Sequence, residues 1–588
     1  MKKMYLYKIM LVVIIAIQVV YISCLFGINK KGYHSDELWN YGFANSTQGM
    51  HVYTTDDGEK ISDKWQNSEI LRKYITVDKN EIFNYAAIYR NAANDYNPPL
   101  GYMMLHLICS IFPGTWSKWY CFFLNIICFI VMQIYVYKLG KSITKSEVAG
   151  LLSVFFFGFT AGARNITIFL RIYAPATMFA IMLLYYIHVL YDRRNSNEKC
   201  TKIYIGIFVV NILGCFTLNL FLPYAFIVTV MYSLFYFFSK HYKKFWTFGC
   251  TMLISTLISI LMFPMRFAQV NGSAGTLTYL NKKLPTIWQN KIYWAYLTND
   301  LFGVHNSIWK TMTFEYILIG LGIIIFITLP MCFVFRNEKW LKKGIGIIKA
   351  TIKDICKRLK KIPYTFIAMI VTVIFVIFIA ALRTSTYLMG TYTTRYIFII
   401  YPVMAVFSVG VMYSVVKYII RNRIFRYIVS ILFCVIFSMM SCILSPEAYY
   451  FKHEEEGVTL SQMENDANVI IVTNELWLLT CYTCELYNTN SFYVASYESA
   501  LQDDFELDKI NSPIYVVLDV TYMDGNQNKM KIPGANVVEL ELTGQEKEYK
   551  SSDYINYIEN NNETVSKIEM VGKDAVFGRN VNIYKISR

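Results

Sequence analysis

The chain alternates long apolar runs with short polar segments, many of them basic. Each apolar run has roughly twenty residues, the length that an α-helix needs to cross a bilayer. The pattern predicts a polytopic α-helical membrane protein with about eleven transmembrane helices. The predicted spans are residues 10–26, 119–137, 148–162, 173–191, 203–218, 220–238, 245–263, 314–335, 363–382, 396–416 and 428–444.

Lysine and arginine are concentrated in every second connection between these spans, as in the cytoplasmic loops of membrane proteins. With the N-terminus in the cytoplasm, the cytoplasmic connections are residues 138–145, 193–202, 240–244, 336–361 and 417–426. The remaining connections are then external. They are a large first loop at 27–116, the segments 164–171 and 266–311, and the tail after Ser445.

Three apolar segments need separate treatment. Residues 100–112 are too short to cross the bilayer and would reverse the sidedness of the basic loops, so we expect a re-entrant or interfacial helix. Residues 203–238 are too long for one span, which predicts a helical hairpin that turns near Asn219. The first run follows several lysines and lacks a small-residue cleavage site, so it is expected to be an uncleaved anchor.

The tail at residues 446–588 is less hydrophobic than the rest of the chain. Short apolar segments alternate there with polar connections, which predicts a small external α/β domain. Its predicted strands are residues 468–472, 513–520, 536–542 and 580–586. The chain is thus divided into a transmembrane domain at 1–445 and the tail domain.

Composition agrees with a membrane protein, because 55% of the residues are hydrophobic and 16% are charged, against about 25% charged in ordinary soluble domains. The net charge of +15 lies mostly in the basic loops, so we expect no nucleic-acid partner. Cys481 and Cys484 have the spacing of a redox pair. The alternative is an apolar helix with two buried cysteines.

An acid pair, Asp36 and Glu37, follows the first span closely, near the outer face of the membrane. A carboxylate placed there can deprotonate an acceptor hydroxyl group. Neighbouring residues point in different directions, so one acid faces a given substrate, and we favour Asp36. The alternative is that both acids cap or charge the first turn of a helix.

A second acid, Asp95, ends the first loop just before Pro98 and Pro99. The prolines exclude a helix interior and position the chain at the start of the short apolar helix. Taken alone, this pattern is an ordinary helix start. His34, His51 and His106 are candidates for a metal site with the acids, but their spacing matches no standard ligand set, and plain polar roles are preferred.

Five arginines lie at predicted external ends of spans, where guanidinium groups can hold a phosphate through paired, charge-assisted hydrogen bonds. They are Arg164, Arg171, Arg266, Arg383 and Arg395. The alternative is that such arginines extend to lipid head groups. Arg171 and Arg395 are favoured.

These motifs together resemble the C-type glycosyltransferase superfamily, and within it the bacterial relatives of protein O-mannosyltransferases and of the lipid A aminoarabinose transferase. The residues that carry the resemblance are Asp36-Glu37, the Asp-x-x-Pro-Pro-Leu segment from Asp95, Arg171-Ile172-Tyr173-Ala174 and the run from Arg395-Tyr396 to Pro402. The resemblance extends over residues 1–444. Asn97 and Asn219 stand where many relatives have histidine, which leaves the sugar, the acceptor and any metal role open.

The resemblance implies an inverting, single-displacement transfer of a sugar from a polyprenyl-phosphate donor to a glycan, lipid or protein acceptor. It implies Asp36 as the base, with Glu37 and Asp95 beside it. Arg171, Tyr173, Arg395 and Tyr396 are implied to bind the lipid phosphate. No cofactor follows from the motifs, although some relatives use a divalent ion.

Two other function classes are weighed against the transferase. A transporter or flippase of lipid-linked saccharide is expected to carry ionisable residues near the bilayer midplane, and the predicted spans have few. An anchored binding protein in which the tail does the work does not need eleven spans.

Overall fold

The computed structural model describes residues 2–47, 52, 61–93, 97–196, 198–266, 286–304, 363–383, 391–445, 447–452, 455–521, 523–524 and 549–588. Within these ranges the N-terminal three quarters of the chain is helical, and a mixed β-sheet follows in the tail. Eight of the described helices are long and apolar enough to cross a membrane, or nine with one bent pair counted as a span. The protein is therefore a multi-pass membrane protein.

The helices follow the apolar runs closely. Their bounds are α1 Lys2–Asn29, α2 Ser35–Asn45, α3 Glu69–Ile75, α4 Tyr85–Ala93, α5 Leu100–Cys109, α6 Lys118–Thr144, α7 Glu147–Gly158, α8 Ala161–Ile168, α9 Tyr173–Asp192, α10 Thr201–Cys215, α11 Phe221–Phe238, α12 Tyr242–Met262, α13 Thr286–Phe302, α14 Tyr364–Arg383, α15 Tyr401–Ile419, α16 Arg423–Leu444, α17 Leu479–Tyr482 and α18 Ser551–Asn561. A 3₁₀ helix at Thr391–Ile400 leads into α15.

Polar caps set several helix boundaries. The Ser117 hydroxyl accepts a hydrogen bond from the Trp119 N–H at the start of α6, and Ser146 does the same for Ala149 in α7. Lys145, between these two helices, has a φ of 55° and ends α6 in the left-handed conformation. Such caps satisfy backbone groups that the helix itself leaves unpaired.

Two predicted spans differ from the observed helices. The predicted span at 148–162 is a bent pair, α7 and α8, which meet at 61°. Thr160 causes the break, because its hydroxyl accepts from the Ala163 N–H and starts a new helix. The predicted span at 203–218 corresponds to α10, whose 15 residues extend only about 22 Å. The predicted span at 314–335 lies outside the described residues.

The short apolar segment near the end of the first loop forms α5, a helix of 10 residues. At about 1.5 Å per residue it is too short to cross the hydrocarbon layer, as predicted. The predicted hairpin is also present, with a turn between the end of α10 and the start of α11. α5 packs tightly on the segment before α9, since a Cβ on Gly101 would lie 2.3 Å from the Ile172 side chain.

The tail forms a sheet of seven strands in the order β1-β4-β3-β5-β7-β6-β2. β4, β3 and β5 are parallel, and β7 and β6 form an antiparallel hairpin beside them. The bounds are β1 Trp65–Asn67, β2 Glu456–Gly457, β3 Asn468–Val472, β4 Ser491–Ala495, β5 Ile514–Asp519, β6 Lys567–Val576 and β7 Arg579–Ser587. Three of the predicted strands are observed; the fourth, at 536–542, lies outside the described residues.

The first loop and the tail form one structure above the membrane-spanning helices. Strand β1 belongs to the first loop but pairs antiparallel with β4 of the tail, with Asn67 opposite Ser491. The Ser68 hydroxyl also lies 2.8 Å from that of Thr489, and the Arg72 guanidinium donates to the Tyr487 carbonyl oxygen at 3.2 Å. The first loop and the tail, which lie on either side of residue 445 in the sequence, therefore pack directly on each other.

We expect the Asn67→Cys, Ser491→Cys double variant to form a disulfide on mild oxidation, because directly opposed residues of antiparallel strands have Cα atoms about 4.5 to 5.5 Å apart. Proteolysis between the two positions followed by non-reducing electrophoresis measures the cross-link. The control pairs Asn67→Cys with Tyr493→Cys, two residues out of register. Equal cross-linking in both variants, or none in the first, contradicts the β1–β4 pairing.

Candidate active site

The acid pair begins helix α2, which follows the first span directly. His34 caps this helix, because its Nδ1 accepts a hydrogen bond from the Asp36 N–H at 3.0 Å. The Glu37 carboxylate accepts one from the His34 N–H at 2.8 Å, which completes a capping box. The helix-capping alternative for the acid pair thus describes Glu37, whereas the Asp36 carboxylate points to other partners.

Glu37 is completely buried in a network that joins four parts of the chain. Lys30 Nζ donates to both Glu37 carboxylate oxygens at 2.8 Å and to the Tyr449 carbonyl oxygen at 2.9 Å. The Leu170 N–H donates to Glu37 at 2.9 Å. α1, α2, the segment before α9 and the start of the tail are therefore held together at one carboxylate.

The two buried groups stabilise each other's charge. Burial raises the pKa of Glu37 and lowers that of Lys30, and each shift is opposed by the charge of the partner. In the described residues the Glu37 carboxylate only accepts hydrogen bonds, from Lys30 and from two backbone N–H groups, and Lys30 Nζ donates to oxygen atoms. This geometry is that of an ionised pair, which is stable in a low-dielectric interior only when its hydrogen bonds are satisfied in this way.

Asp36 lies beside the two arginines that the sequence favours. Its Oδ2 is 3.4 Å from Arg395 Nε, and its Oδ1 is 3.8 Å from His34 Nδ1. Arg171 Nη1 donates to the Asp36 carbonyl oxygen at 3.1 Å. The Asp36 side chain keeps 15% of its surface exposed, so the carboxylate is reachable, whereas that of Glu37 is not.

These neighbours keep Asp36 ionised. Burial raises its pKa, but Arg395, followed by His34 and Arg171, lowers it more, and the resulting pKa is about 2. Asp36 is therefore a carboxylate at any physiological pH. A base with so low a pKa is weak while the arginine is in contact with it.

The other predicted site residues gather around this carboxylate. The Arg395 guanidinium donates to the Tyr392 carbonyl oxygen at 2.9 Å and to the Tyr396 hydroxyl at 3.3 Å. The Tyr396 ring lies 4.8 Å from the same guanidinium, and the Tyr173 ring stacks at 5.8 Å on Phe169, which neighbours His34. The predicted set Asp36, Arg171, Tyr173, Arg395 and Tyr396 thus converges on one place.

Arg171 is oriented by aromatic side chains of the first loop and of α5. Its guanidinium carbon lies 5.7 Å from the centre of the Tyr102 ring and 5.9 Å from that of Phe43. Contacts of a guanidinium with aromatic faces are favourable and restrict its position. The adjoining backbone is fixed too, because Asn40 donates to the Leu170 carbonyl oxygen at 3.1 Å.

The remaining predicted arginines lie elsewhere. Arg266 is buried and donates to backbone carbonyl oxygens, including that of Cys215 at 3.3 Å, so it closes a helix end. Arg164 is buried with its Nη1 4.0 Å from the Glu447 carboxylate. Arg383 is exposed at the end of α14. Only Arg171 and Arg395 of the five contact the acid motif in the described residues.

The described residues around Asp36 already have partners where a divalent cation would need open ligands. His34 Nδ1 is occupied by the Asp36 N–H, and the Asp36 carboxylate faces a guanidinium. His106 lies on α5 against the Tyr85 ring, at 5.7 Å. Among the described residues no group of three histidine, cysteine, aspartate or glutamate side chains is placed to hold a metal ion. Two candidates, Asp95 and His51, lie outside the described residues.

The tail contributes to this site, which the motif analysis did not anticipate. Phe577, at the tip of the β6–β7 hairpin, has its ring centre 4.7 Å from that of His34. Trp39 Nε1 on α2 donates to the Thr480 hydroxyl at 3.1 Å. The sequence analysis also did not predict Lys30 as the partner of Glu37. Its position seven residues before Glu37 is a sequence signal for this pair.

Cys481 and Cys484 are free thiols in the tail next to this contact. Burial raises the pKa of both thiols, which opposes the thiolate that redox exchange requires. Their environment favours the structural alternative of two cysteines in an apolar helical segment.

The sequence matches no family model and no curated protein sequence. Solved structures do match. The archaeal oligosaccharyltransferase AglB from Archaeoglobus fulgidus, in complex with an inhibitory peptide and a dolichol-phosphate, is 12% identical with a TM-score of 0.45, over 88% of this chain and 70% of that one. ArnT from Cupriavidus metallidurans, bound to undecaprenyl phosphate, is 9% identical with a TM-score of 0.45, over 97% of each chain.

ArnT in the apo state also matches, with 9% identity and a TM-score of 0.39. These scores describe a loose likeness of fold.

We expect Lys30→Met to lower the free energy of unfolding by about 3 to 5 kcal/mol, because it leaves the Glu37 carboxylate buried without its counter-ion. Equilibrium unfolding in detergent measures this. The Lys30→Met, Glu37→Leu double variant should recover much of the loss. Lys73→Met, which breaks an exposed ion pair of 2.7 Å with Glu69, is the control and should change little. A Lys30→Met variant as stable as this control contradicts the assignment.

Proposed function

We propose that this protein is a membrane glycosyltransferase that moves a sugar from a polyprenyl-phosphate donor to an extracytoplasmic acceptor. The acceptor is a cell-surface polysaccharide, a lipid or a protein. The observation that carries the proposal is that Arg395 contacts the partly exposed carboxylate of Asp36 while Arg171 donates to the main-chain carbonyl oxygen of the same residue. The resemblance of the same residues to motifs of C-type glycosyltransferases supports it.

The arrangement provides the groups that an inverting transfer requires. Asp36 takes the proton of an acceptor hydroxyl, and the acceptor oxygen forms a bond to the anomeric carbon of the sugar. The bond between that carbon and the phosphate oxygen breaks on the opposite face. Arg171 and Arg395 stabilise the charge that develops on the leaving polyprenyl phosphate through charge-assisted hydrogen bonds.

Donor binding explains how Asp36, a carboxylate with a pKa of about 2, can act as a base. A phosphate that binds Arg395 competes with Asp36 for the same guanidinium. Its negative charge also raises the pKa of the nearby carboxylate. Asp36 therefore becomes a stronger base when the donor is present, and it is held ionised by Arg395 when the donor is absent.

Glu37 has a different role in this proposal. It was grouped with the catalytic acids, but its carboxylate is buried and all of its oxygen contacts are with protein donors. We assign it to the positioning of Asp36 and of the segment that precedes Arg171. Asp95, which lies outside the described residues, remains a proposed catalytic acid beside Asp36.

Asp36→Asn should reduce sugar transfer by about 10²- to 10⁴-fold, because it removes the base. Arg395→Lys should reduce it by roughly ten- to hundredfold, the equivalent of about 1.5 to 3 kcal/mol for a lost charged hydrogen bond. The measurement is mass spectrometry of surface glycans from a host lacking this gene, complemented with each variant at equal membrane abundance.

Asp192→Asn is the matched control. It makes the same chemical change in a carboxylate whose ion pair with Lys145, of 2.6 Å, lies on the side of the membrane predicted to be cytoplasmic. It should leave transfer unchanged. Unaltered glycans in the Asp36→Asn strain contradict the transferase. Export of lipid-linked saccharide that fails in that strain, with transfer intact, indicates a flippase instead.

The low pKa of Asp36 predicts a pH profile. Because this pKa is about 2, wild-type kcat/KM should show no acid limb from Asp36 at pH 5 and above. Arg395→Gln removes the largest influence that lowers this pKa, so the acid limb should move to higher pH. Transfer from a radiolabelled lipid extract of the host measures the profile. An acid limb at the same pH in both proteins contradicts the assignment of Asp36 as the base.

A further inference from the structure

Four aromatic rings surround the His34 imidazole, which itself holds the N–H of Asp36. The ring centres lie 6.0 Å away for Phe169, 5.6 Å for Tyr392, 5.8 Å for Phe451 and 4.7 Å for Phe577. Phe577 is the nearest, and its ring is perpendicular to the imidazole, at 89°. It comes from the tail domain, more than five hundred residues away in sequence.

Phe577 occupies a backbone conformation that suits a different residue. It forms a two-residue turn with Gly578 between β6 and β7, and both residues have positive φ, 52° and 74°. Hairpin turns of this kind favour Asn-Gly or Asp-Gly. A bulky residue with positive φ is uncommon and is a reason to look for a function.

The hairpin is held in place from its other side. Arg579 Nη2 donates to the Glu475 carboxylate at 3.3 Å, and its Nη1 lies 3.7 Å from that of Asp519 at the end of β5. The Trp477 ring supports Phe577, with 5.5 Å between ring centres. The tip therefore presents Phe577 to His34 from a fixed position.

The protonation state of His34 decides which group it binds. Nδ1 accepts from the Asp36 N–H, so the ring is neutral and its proton is on Nε2. A doubly protonated ring has donors at both nitrogens, and its Nδ1–H would turn to the Asp36 carboxylate, 3.8 Å away. Protonation of His34 would thus break the helix cap and pair the Asp36 carboxylate with a positive charge, so that it is no longer available as the base.

Charges from several elements act on this imidazole. Asp36 on α2 favours its protonation, whereas Arg395, Arg171 and Lys30 oppose it. The tail hairpin contributes the Phe577 ring, and its Arg579, two residues further on, is paired with Glu475 and Asp519. Burial has the largest influence, and it lowers the pKa of His34 to about 3.

We propose that Phe577 is a positioning residue of the active site, whose ring seals His34 from water and so keeps the imidazole neutral and Asp36 available as the base. The proposal rests on the proposed function for its catalytic consequence. Its structural part, the coupling of Phe577 to the protonation of His34, stands independently of that function.

The Phe577→Asn variant separates this role from folding. Asn-Gly suits the turn better than Phe-Gly, so thermal stability in detergent should be unchanged or higher. Removal of the ring hydrates His34, and its pKa should rise by at least about one unit towards its ordinary value of about 6.5. NMR of the full-length protein with ¹³C-labelled histidine measures this, with the His34 signal identified by its loss in His34→Asn.

Two matched variants accompany it. Phe577→Tyr keeps the ring and should behave as wild type. Phe83 also has positive φ, 59°, but its ring is 49% exposed, so Phe83→Asn makes the same change away from the site and should leave His34 unaltered. An unchanged His34 titration in Phe577→Asn, or an equal change in Phe83→Asn, overturns the proposal.

Transfer from the radiolabelled lipid extract of the host tests the catalytic part. The loss of activity at acid pH should begin at a higher pH in Phe577→Asn than in wild type, by the same interval as the rise in the His34 pKa. In the His34→Asn background, where asparagine still caps the helix, Phe577→Asn should cause no further loss at low pH. An equal loss in both backgrounds overturns the action through His34. No transfer by wild type contradicts the proposed function, while the NMR result still decides the coupling.

Discussion

The ion pair of Lys30 and Glu37 is the interaction on which the rest of the site depends. It ties the end of the first span to the start of α2, to the backbone at Leu170 and to the Tyr449 carbonyl oxygen. Buried ion pairs are stable only when their remaining hydrogen bonds are satisfied, and here the backbone N–H groups of His34 and Leu170 satisfy them. The pair therefore fixes the start of α2, and with it the position of the neighbouring Asp36.

Two adjacent acids consequently have opposite environments. Glu37 faces inward to one cation and two backbone donors, whereas Asp36, one residue earlier, faces two arginines and retains contact with solvent. Helix geometry sends neighbouring side chains in different directions, so the division follows from the position of α2. The arginines lower the pKa of Asp36 against the effect of burial. The result is a charged carboxylate beside two groups suited to a phosphate.

Much of this was accessible from the sequence, and the remainder depends on contacts between distant residues. Run lengths predicted most helices, and alternation predicted β3, β5 and β7, because both are local properties. The resemblance to a known superfamily, and not a local pattern, implied that Asp36, Arg171 and Arg395 serve one site. Three features could not be predicted because no local sequence pattern names the residues that meet. They are the bend at Thr160, the pairing of β1 with β4 and the approach of Phe577 to His34. The tail was for that reason excluded from the site, although it covers part of it.

The proposed function requires the arginines beside Asp36 to bind the phosphate of a polyprenyl lipid. A cryo-EM map of the full-length protein in nanodiscs with added undecaprenyl phosphate tests this binding. We expect phosphate density within hydrogen-bond distance of Arg395 and Arg171, next to the Asp36 carboxylate. Phosphate density at another buried guanidinium, such as that of Arg164, with Arg395 still on Asp36, would contradict it.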